Sequence, residues 1–225
     1  MDTRRARYVA VTGAVGAGAT TLATLLAQEL GWASHLEGNI DRDNPFFGDA
    51  YNDFSRWGFA SQVHFLVASS ERHRVLARSL RDADVGTTIV EDRTPYEHTE
   101  AYVPANLSLG RLTAREATLL RNLTTLLEPS FLIPDLIVFR EMSEADVLTR
   151  VRDRARPGEE AAGAPLLLAI RQAFSELAAS WDRSPKLILP ATLDLHEADG
   201  RREVVSLVRA TLDGLDDVPT TNDGR

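Results

Sequence analysis

Apolar positions along the chain follow two alternating rhythms. Residues 8–12 form a short β-branched and apolar run. A glycine-rich turn follows over 13–18, and then a stretch over 20–30 in which Leu22, Leu25, Leu26 and Leu30 recur at helical spacing. Gly31 stands where a C-terminal helix cap is expected. The pattern is a strand, a glycine loop and a helix. It continues with a second strand ending at Glu37, a long helix over 54–80, and a third strand over 87–90 that runs into Glu91-Asp92-Arg93. A helix over 113–128, a strand over 136–139 and a helix from an N-cap at Ser143 to about Ala155 come next. A helix over 166–181, a strand over 186–189 and a helix over 202–212 complete the series. Strands separated by helices predict an α/β fold: a parallel five-stranded sheet in three α/β/α layers, with helices on both faces. No repeat or long linker divides it, so a single domain is expected over 1–215. Residues 157–165 read as a mobile surface loop, and 216–225 as a flexible tail.

Charge and composition narrow the function. The net charge of -8 argues against binding duplex nucleic acid, which needs a basic face, yet leaves room for a small anion in a local basic pocket. The absence of cysteine excludes disulfides, thiolate catalysis and cysteine-based zinc sites. Residues 1–7 are polar with no apolar signal core, and no apolar run approaches the ~18 residues that would suggest a membrane span. A cytoplasmic location with no membrane partner is expected.

Residues 13–21 read Gly13-Ala14-Val15-Gly16-Ala17-Gly18-Ala19-Thr20-Thr21. The pattern G-x-x-x-x-G-K-[ST] is a phosphate loop, whose glycines let backbone N–H groups turn inward on phosphate oxygens. A helix beginning near Thr20 adds its N-terminal dipole. Thr20 is placed to put its hydroxyl on Mg²⁺. The lysine position, however, is Ala19. That lysine normally follows the β- and γ-phosphates through transfer, so its loss should lower the rate more than the binding.

Further along, ordered motifs accumulate: Leu36-Glu37-Gly38-Asn39, Tyr51-Asn52-Asp53, Phe59-Ala60-Ser61-Gln62, Glu91-Asp92-Arg93-Thr94, and Arg150-Val151-Arg152-Asp153-Arg154-Ala155-Arg156-Pro157-Gly158-Glu159. Together with the phosphate loop, the sequence resembles the deoxynucleoside kinase family, especially its bacterial deoxyadenosine and deoxyguanosine kinase branch. The resemblance spans roughly 8–195. It implies ATP and Mg²⁺ as cofactors and a nucleoside as acceptor. It implies Glu37 as the general base for the 5′-hydroxyl, Tyr51 on the sugar 3′-hydroxyl and Gln62 on the nucleobase edge. Arg93 would contact the base carboxylate and the 5′-oxygen region, with Asp92 on the magnesium side. Arg150 and Arg154 would clamp the phosphates from a lid over about 150–163, Arg156 would reach the adenine or phosphates of ATP, and Glu159 would close on the 3′-hydroxyl. A homodimer through the helices over 54–80 and 113–128 is also implied.

Two departures shape the alternatives. Ala19 supports a catalytically impaired nucleoside- or nucleotide-binding protein, or a scaffold protein, on the same kinase fold. Purine-accepting relatives carry an arginine and an aspartate where Ser69 and His98 stand here, which leaves the base unassigned and admits a modified or antibiotic-type nucleoside.

Overall fold

The computed structural model describes residues 5–38, 43–154 and 163–215. Five strands are present among these: β1 (Arg7–Gly13), β2 (Ala33–His35), β3 (Thr88–Asp92), β4 (Leu136–Arg140) and β5 (Lys186–Leu189). They lie in the order β2-β3-β1-β4-β5, and every neighbouring pair is parallel. Helices α1 (Ala19–Leu30), α2 (Phe47–Asn52), α3 (Phe54–Asp82), α4 (Val103–Ser108), α5 (Ala114–Leu127), α6 (Glu144–Arg154), α7 (Gly163–Ser180) and α8 (Ala198–Gly214) accompany them.

The two-residue period of a strand divides the core between the faces. Tyr8 and Ala10 of β1, with Ile137 and Phe139 of β4, pack against Ile170, Phe174 and Leu177 of α7. Val9 and Val11, with Leu136 and Val138, face the other way, onto Leu22 and Leu26 of α1 and Val204 and Val208 of α8. Each fully buried aliphatic side chain contributes about 1.5–3 kcal/mol, so both faces hold the sheet firmly. The central strands therefore end in fixed positions, and Gly13, Asp92 and Arg140 meet at the carboxyl edge of the sheet, where open α/β folds bind ligands.

The helix signals are physical devices. Thr113 Oγ1 accepts from Glu116 N at 3.2 Å while Glu116 Oε2 accepts from Thr113 N at 2.8 Å, a reciprocal cap for α5. Ser143 caps α6 through Asp146 N at 3.1 Å, and its hydroxyl donates to Asp146 Oδ2 at 2.6 Å.

Several details differ from expectation. The second strand is three residues long and ends at His35, so Glu37 follows it by two. Residues 163–165 form the first turn of α7 rather than loop, with Pro165 in the first turn, where a missing N–H costs nothing. The rest of the expected loop and the tail lie outside the described residues. Helix α2 and a π-helical turn, His98–Tyr102, leading into α4 are too short for periodicity to register. Pro104 sits in the first turn of α4, where its missing N–H is tolerated.

Candidate active site

The loop between β1 and α1 requires its glycines. Gly16 (φ 84°) and Gly18 (φ 79°) are left-handed. At Gly13 an added Cβ would meet the carbonyl oxygen of Arg140 and the Cβ of Ala17, each at 2.8 Å. Helix α1 starts at Gly18 without a side-chain cap, so its N-terminal amides and dipole suit an anion. Ala14 and Ala17 are buried beneath the loop, and Thr20 and Thr21 are exposed. Ala19 is turned into the core with Val9, Val11 and Leu22.

Helix α6 lies across this loop. Val147 and Val151 pack with Ala17, Met142 and Leu167. The ideal Cβ position at Gly16 lies 3.6 Å from Arg150 Cβ, and that at Gly18 lies 4.0 Å from Arg150 Nη1. A guanidinium thus stands over the residue preceding Ala19. Arg140, paired in register with Gly13, adds a second cation that the sequence did not flag. Its side chain is buried, donates through Nη2 to Leu193 O, and leaves Nε and Nη1 without partners. Burial and the charge of Arg150 pull its pKa down, against a smaller opposing pull from Asp194.

Thr20 Oγ1 donates to Asp92 Oδ2 at 2.5 Å, which brings the two expected magnesium-side groups together. The other oxygen of Asp92 accepts from the backbone N of Glu37. Hard oxygen donors beside a phosphate loop suit Mg²⁺, which uses one or two carboxylate or hydroxyl contacts and takes its remaining ligands from phosphate and water. The glycine cradle likewise fits a nucleotide phosphate.

Glu37 is clamped from both sides. Its Oε2 lies 3.1 Å from Arg93 Nε and its Oε1 lies 3.2 Å from Arg72 Nη1. Burial raises its pKa above the ordinary carboxylate value. The guanidiniums of Arg93 and Arg72 pull it partly back, and Asp92 adds a smaller rise. Arg93 itself is non-glycine with φ 67°. Its backbone N donates to Val11 O at 2.8 Å, and its Nη1 donates to Glu97 Oε2 at 3.1 Å and Tyr102 Oη at 2.8 Å. Glu97, also unsuspected from sequence, is buried and accepts from Thr12 Oγ1 and from Thr94 N at 2.9 Å. Desolvation pushes its pKa to about 7, against the pull of Arg93.

Beyond Glu37 the wall is aromatic. Tyr51 meets Phe47 edge-on at 4.9 Å, and Phe47 meets Phe65 at 5.9 Å. His98 stacks between Phe65 and Tyr102, each at 6.0 Å. Burial, with smaller contributions from the Arg72 and Arg93 charges, lowers its pKa to about 3, so the imidazole is neutral. Gln62 lies on α3 with Oε1 buried and unpartnered, as is Ser69 Oγ. Arg154 ends α6, but its side chain, like Arg156 and Glu159 entirely, lies outside the described residues.

A glycine phosphate loop, a flanking guanidinium and a clamped carboxylate on one sheet edge define a P-loop phosphotransferase. A family model described as deoxynucleoside kinase matches residues 9–212. The chain belongs to the deoxynucleoside kinase family. It is 29% identical over 153 residues to the deoxyadenosine/deoxycytidine kinase of Bacillus subtilis (strain 168), covering 67% of each chain. It is 28% identical over 160 residues to the deoxyguanosine kinase of the same organism, covering 69% of this chain and 70% of that one. The structure of deoxyadenosine kinase from M. mycoides with bound dCTP superposes with a TM-score of 0.76 at 20% identity, over 92% of this chain and 99% of that one, and so shares the fold. Family membership makes the chain a nucleoside phosphotransferase with ATP as phosphate donor. Among the described residues, no helix is long and apolar enough to cross a membrane.

Proposed function

We propose that the chain transfers the γ-phosphoryl group of ATP to the 5′-hydroxyl of a deoxynucleoside, with Glu37 as general base. The observation that carries this reading is the double clamp on Glu37, beside the Thr20–Asp92 pair and the glycine loop. Glu37 takes the hydroxyl proton as the 5′-oxygen bonds to phosphorus and the bond from phosphorus to the β,γ-bridging oxygen breaks, releasing ADP. A carboxylate with a raised pKa is the better acceptor for that proton. Gly13, Ala14, Gly16, Ala17, Gly18, Ala19, Thr20 and Thr21 form the donor loop. Thr20 and Asp92 would hold Mg²⁺, which draws charge from the phosphate oxygens when bound. Arg93 orients Glu37 and faces the 5′-oxygen. Arg150, over Gly18, supplies the cation that Ala19 lacks, with Arg154 and Arg156 further along the same lid. Tyr51 and Glu159 hold the sugar.

For the base, Gln62 presents a buried acceptor with no donor, and neutral His98 stands in an aromatic wall. The exocyclic amino group of adenine or cytosine is such a donor, and a relative is named for both deoxynucleosides. The exposed Val67 and Val75 of α3 and Leu119 and Leu126 of α5 support a homodimer through these helices, which light scattering would register as twice the chain mass. The acceptor is tested by coupled ADP release with each of the four deoxynucleosides. Release dependent on deoxyadenosine or deoxycytidine supports the reading; release that no nucleoside alters refutes it.

A further inference from the structure

Behind Glu37 lies a buried polar network whose side chains touch neither the glycine loop nor the side chains of the Thr20–Asp92 pair. Glu91 is fully buried at the second-last position of β3. Its Oε2 accepts from Tyr8 Oη at 2.5 Å and lies 3.0 Å from His73 Nε2. His73 Nδ1 accepts from the backbone N of Leu132 at 3.1 Å, so Nε2 carries the proton and donates to Glu91. Glu91 Oε1 accepts from Arg72 Nη2 at 3.3 Å. The same nitrogen donates to the carbonyls of Asp92 at 3.2 Å and Arg93 at 3.3 Å, and the other arm, Nη1, reaches Glu37 Oε1 at 3.2 Å.

A buried ion pair is weak grounds for stability, because desolvation offsets its attraction and apolar residues of similar volume often hold a core as well. What this network does supply is position. Glu37 follows a three-residue edge strand and is tied through its backbone to Asp92. Its carboxylate is oriented by side chains: Arg93 on one oxygen and Arg72 on the other. Arg93 is itself fixed by Glu97 and Tyr102, and Arg72 by Glu91 and two backbone carbonyls.

We propose that Arg72, anchored by the buried Glu91, is a positioning residue that sets the orientation of Glu37 for proton abstraction. This rests on Glu37 being the base. Arg72 Nε and Nη1 are shut off from solvent and make no hydrogen bond, so Nη1 meets Glu37 as a close charge pair and the residue acts through Glu37 rather than on the phosphates.

The test is a kinetic double-mutant cycle on the full chain with Mg-ATP and its deoxynucleoside. Arg72→Lys keeps a cation against Glu91, but one ammonium cannot span Glu91 and Glu37 as the guanidinium fork does. The expected result is a fall in kcat of about tenfold or more, with nucleoside KM within about threefold, as for a misplaced catalytic group. In the Glu37→Gln background the same substitution should change the residual kcat by less than about twofold. Glu91→Gln, which weakens the anchor at constant shape, should follow the same pattern and keeps the test decisive if Arg72→Lys does not fold. Equal losses in both backgrounds, or a loss confined to KM, overturn the proposal and leave Arg72 a structural residue. If Glu37→Gln alone keeps full kcat, the base assignment itself fails, a separate and distinguishable outcome.

Discussion

Arg93 holds a left-handed backbone conformation (φ 67°) directly after β3, where a side chain other than glycine is strained. Replacing it by alanine or by glycine removes the same guanidinium and differs only in the backbone. Both variants leave Glu97, 1% exposed, without its cation, and free the hydroxyl of Tyr102. Stranding one partner of a buried ion pair costs about 3–5 kcal/mol. At an ordinary position glycine would then be worse than alanine by roughly 0.5–1 kcal/mol. Here the order should reverse. Relief of the left-handed strain is worth about 1–2 kcal/mol, so Arg93→Gly should be more stable than Arg93→Ala by about 1 kcal/mol. The assay is urea unfolding without nucleotide at pH 8, where Glu97, with its pKa near 7, is largely ionised in the unaltered protein; in both variants it loses the pull of Arg93 alike, so their difference reports the backbone. An alanine variant as stable as the glycine variant refutes the strain argument. A wild type no more stable than either refutes the buried pair. On the proposed mechanism, the left-handed backbone at Arg93 is offset by the contact that its side chain makes with Glu37 at 3.1 Å.

Three further outcomes follow from the same geometry. Arg150→Ala should lower kcat about a hundredfold, as for loss of a cation aimed at developing charge, and Ala19→Lys should restore part of it in steady-state assays; an unchanged kcat in Arg150→Ala removes that residue from the donor site. Burial raises the pKa of Glu97 from 4.5 to about 7, so the folded state prefers it protonated. The associated stability is complete below about pH 4.5 and lost as pH rises through about 7, on the order of 3 kcal/mol in all, and Glu97→Gln should flatten this slope in unfolding titrations. Gly13→Ala forces a Cβ to 2.8 Å from the backbone oxygen of Arg140, and should cost about 1–3 kcal/mol in thermal or urea unfolding and weaken the stabilisation by ATP.

The sheet was legible because β1 and β4 are buried on both faces and read as unbroken apolar runs, and because glycines and caps punctuate the helices between them. The glycine-rich loop between β1 and α1 was legible for the same local reason: its glycine spacing is itself the structure. Glu37, Arg93, Asp92 and Gln62 came from ordered motifs and family resemblance, since singly each reads as an ordinary polar residue. Arg72 and His73 stayed hidden because Glu71-Arg72-His73-Arg74 looks like a solvated helix face, and only the packing of α3 against β3 turns two of the four inward. Arg140 was hidden at the end of an apolar strand, and Glu97 between Tyr96 and His98 carries no periodic signal. Whether such charges are paired in the interior depends on partners 53 and 85 positions away in sequence, which no local pattern encodes.

The central claim is phosphate transfer to a deoxynucleoside 5′-hydroxyl from a donor loop that lacks its lysine. The most direct measurement incubates the protein with Mg-ATP and a panel of natural and modified nucleosides, and identifies any monophosphate by mass spectrometry beside Glu37→Gln and Ala19→Lys. The account predicts a 5′-monophosphate of deoxyadenosine or deoxycytidine from the unaltered protein and almost none from Glu37→Gln. No monophosphate from any nucleoside, with either the unaltered protein or Ala19→Lys, contradicts it and leaves a nucleotide-binding protein on the kinase fold.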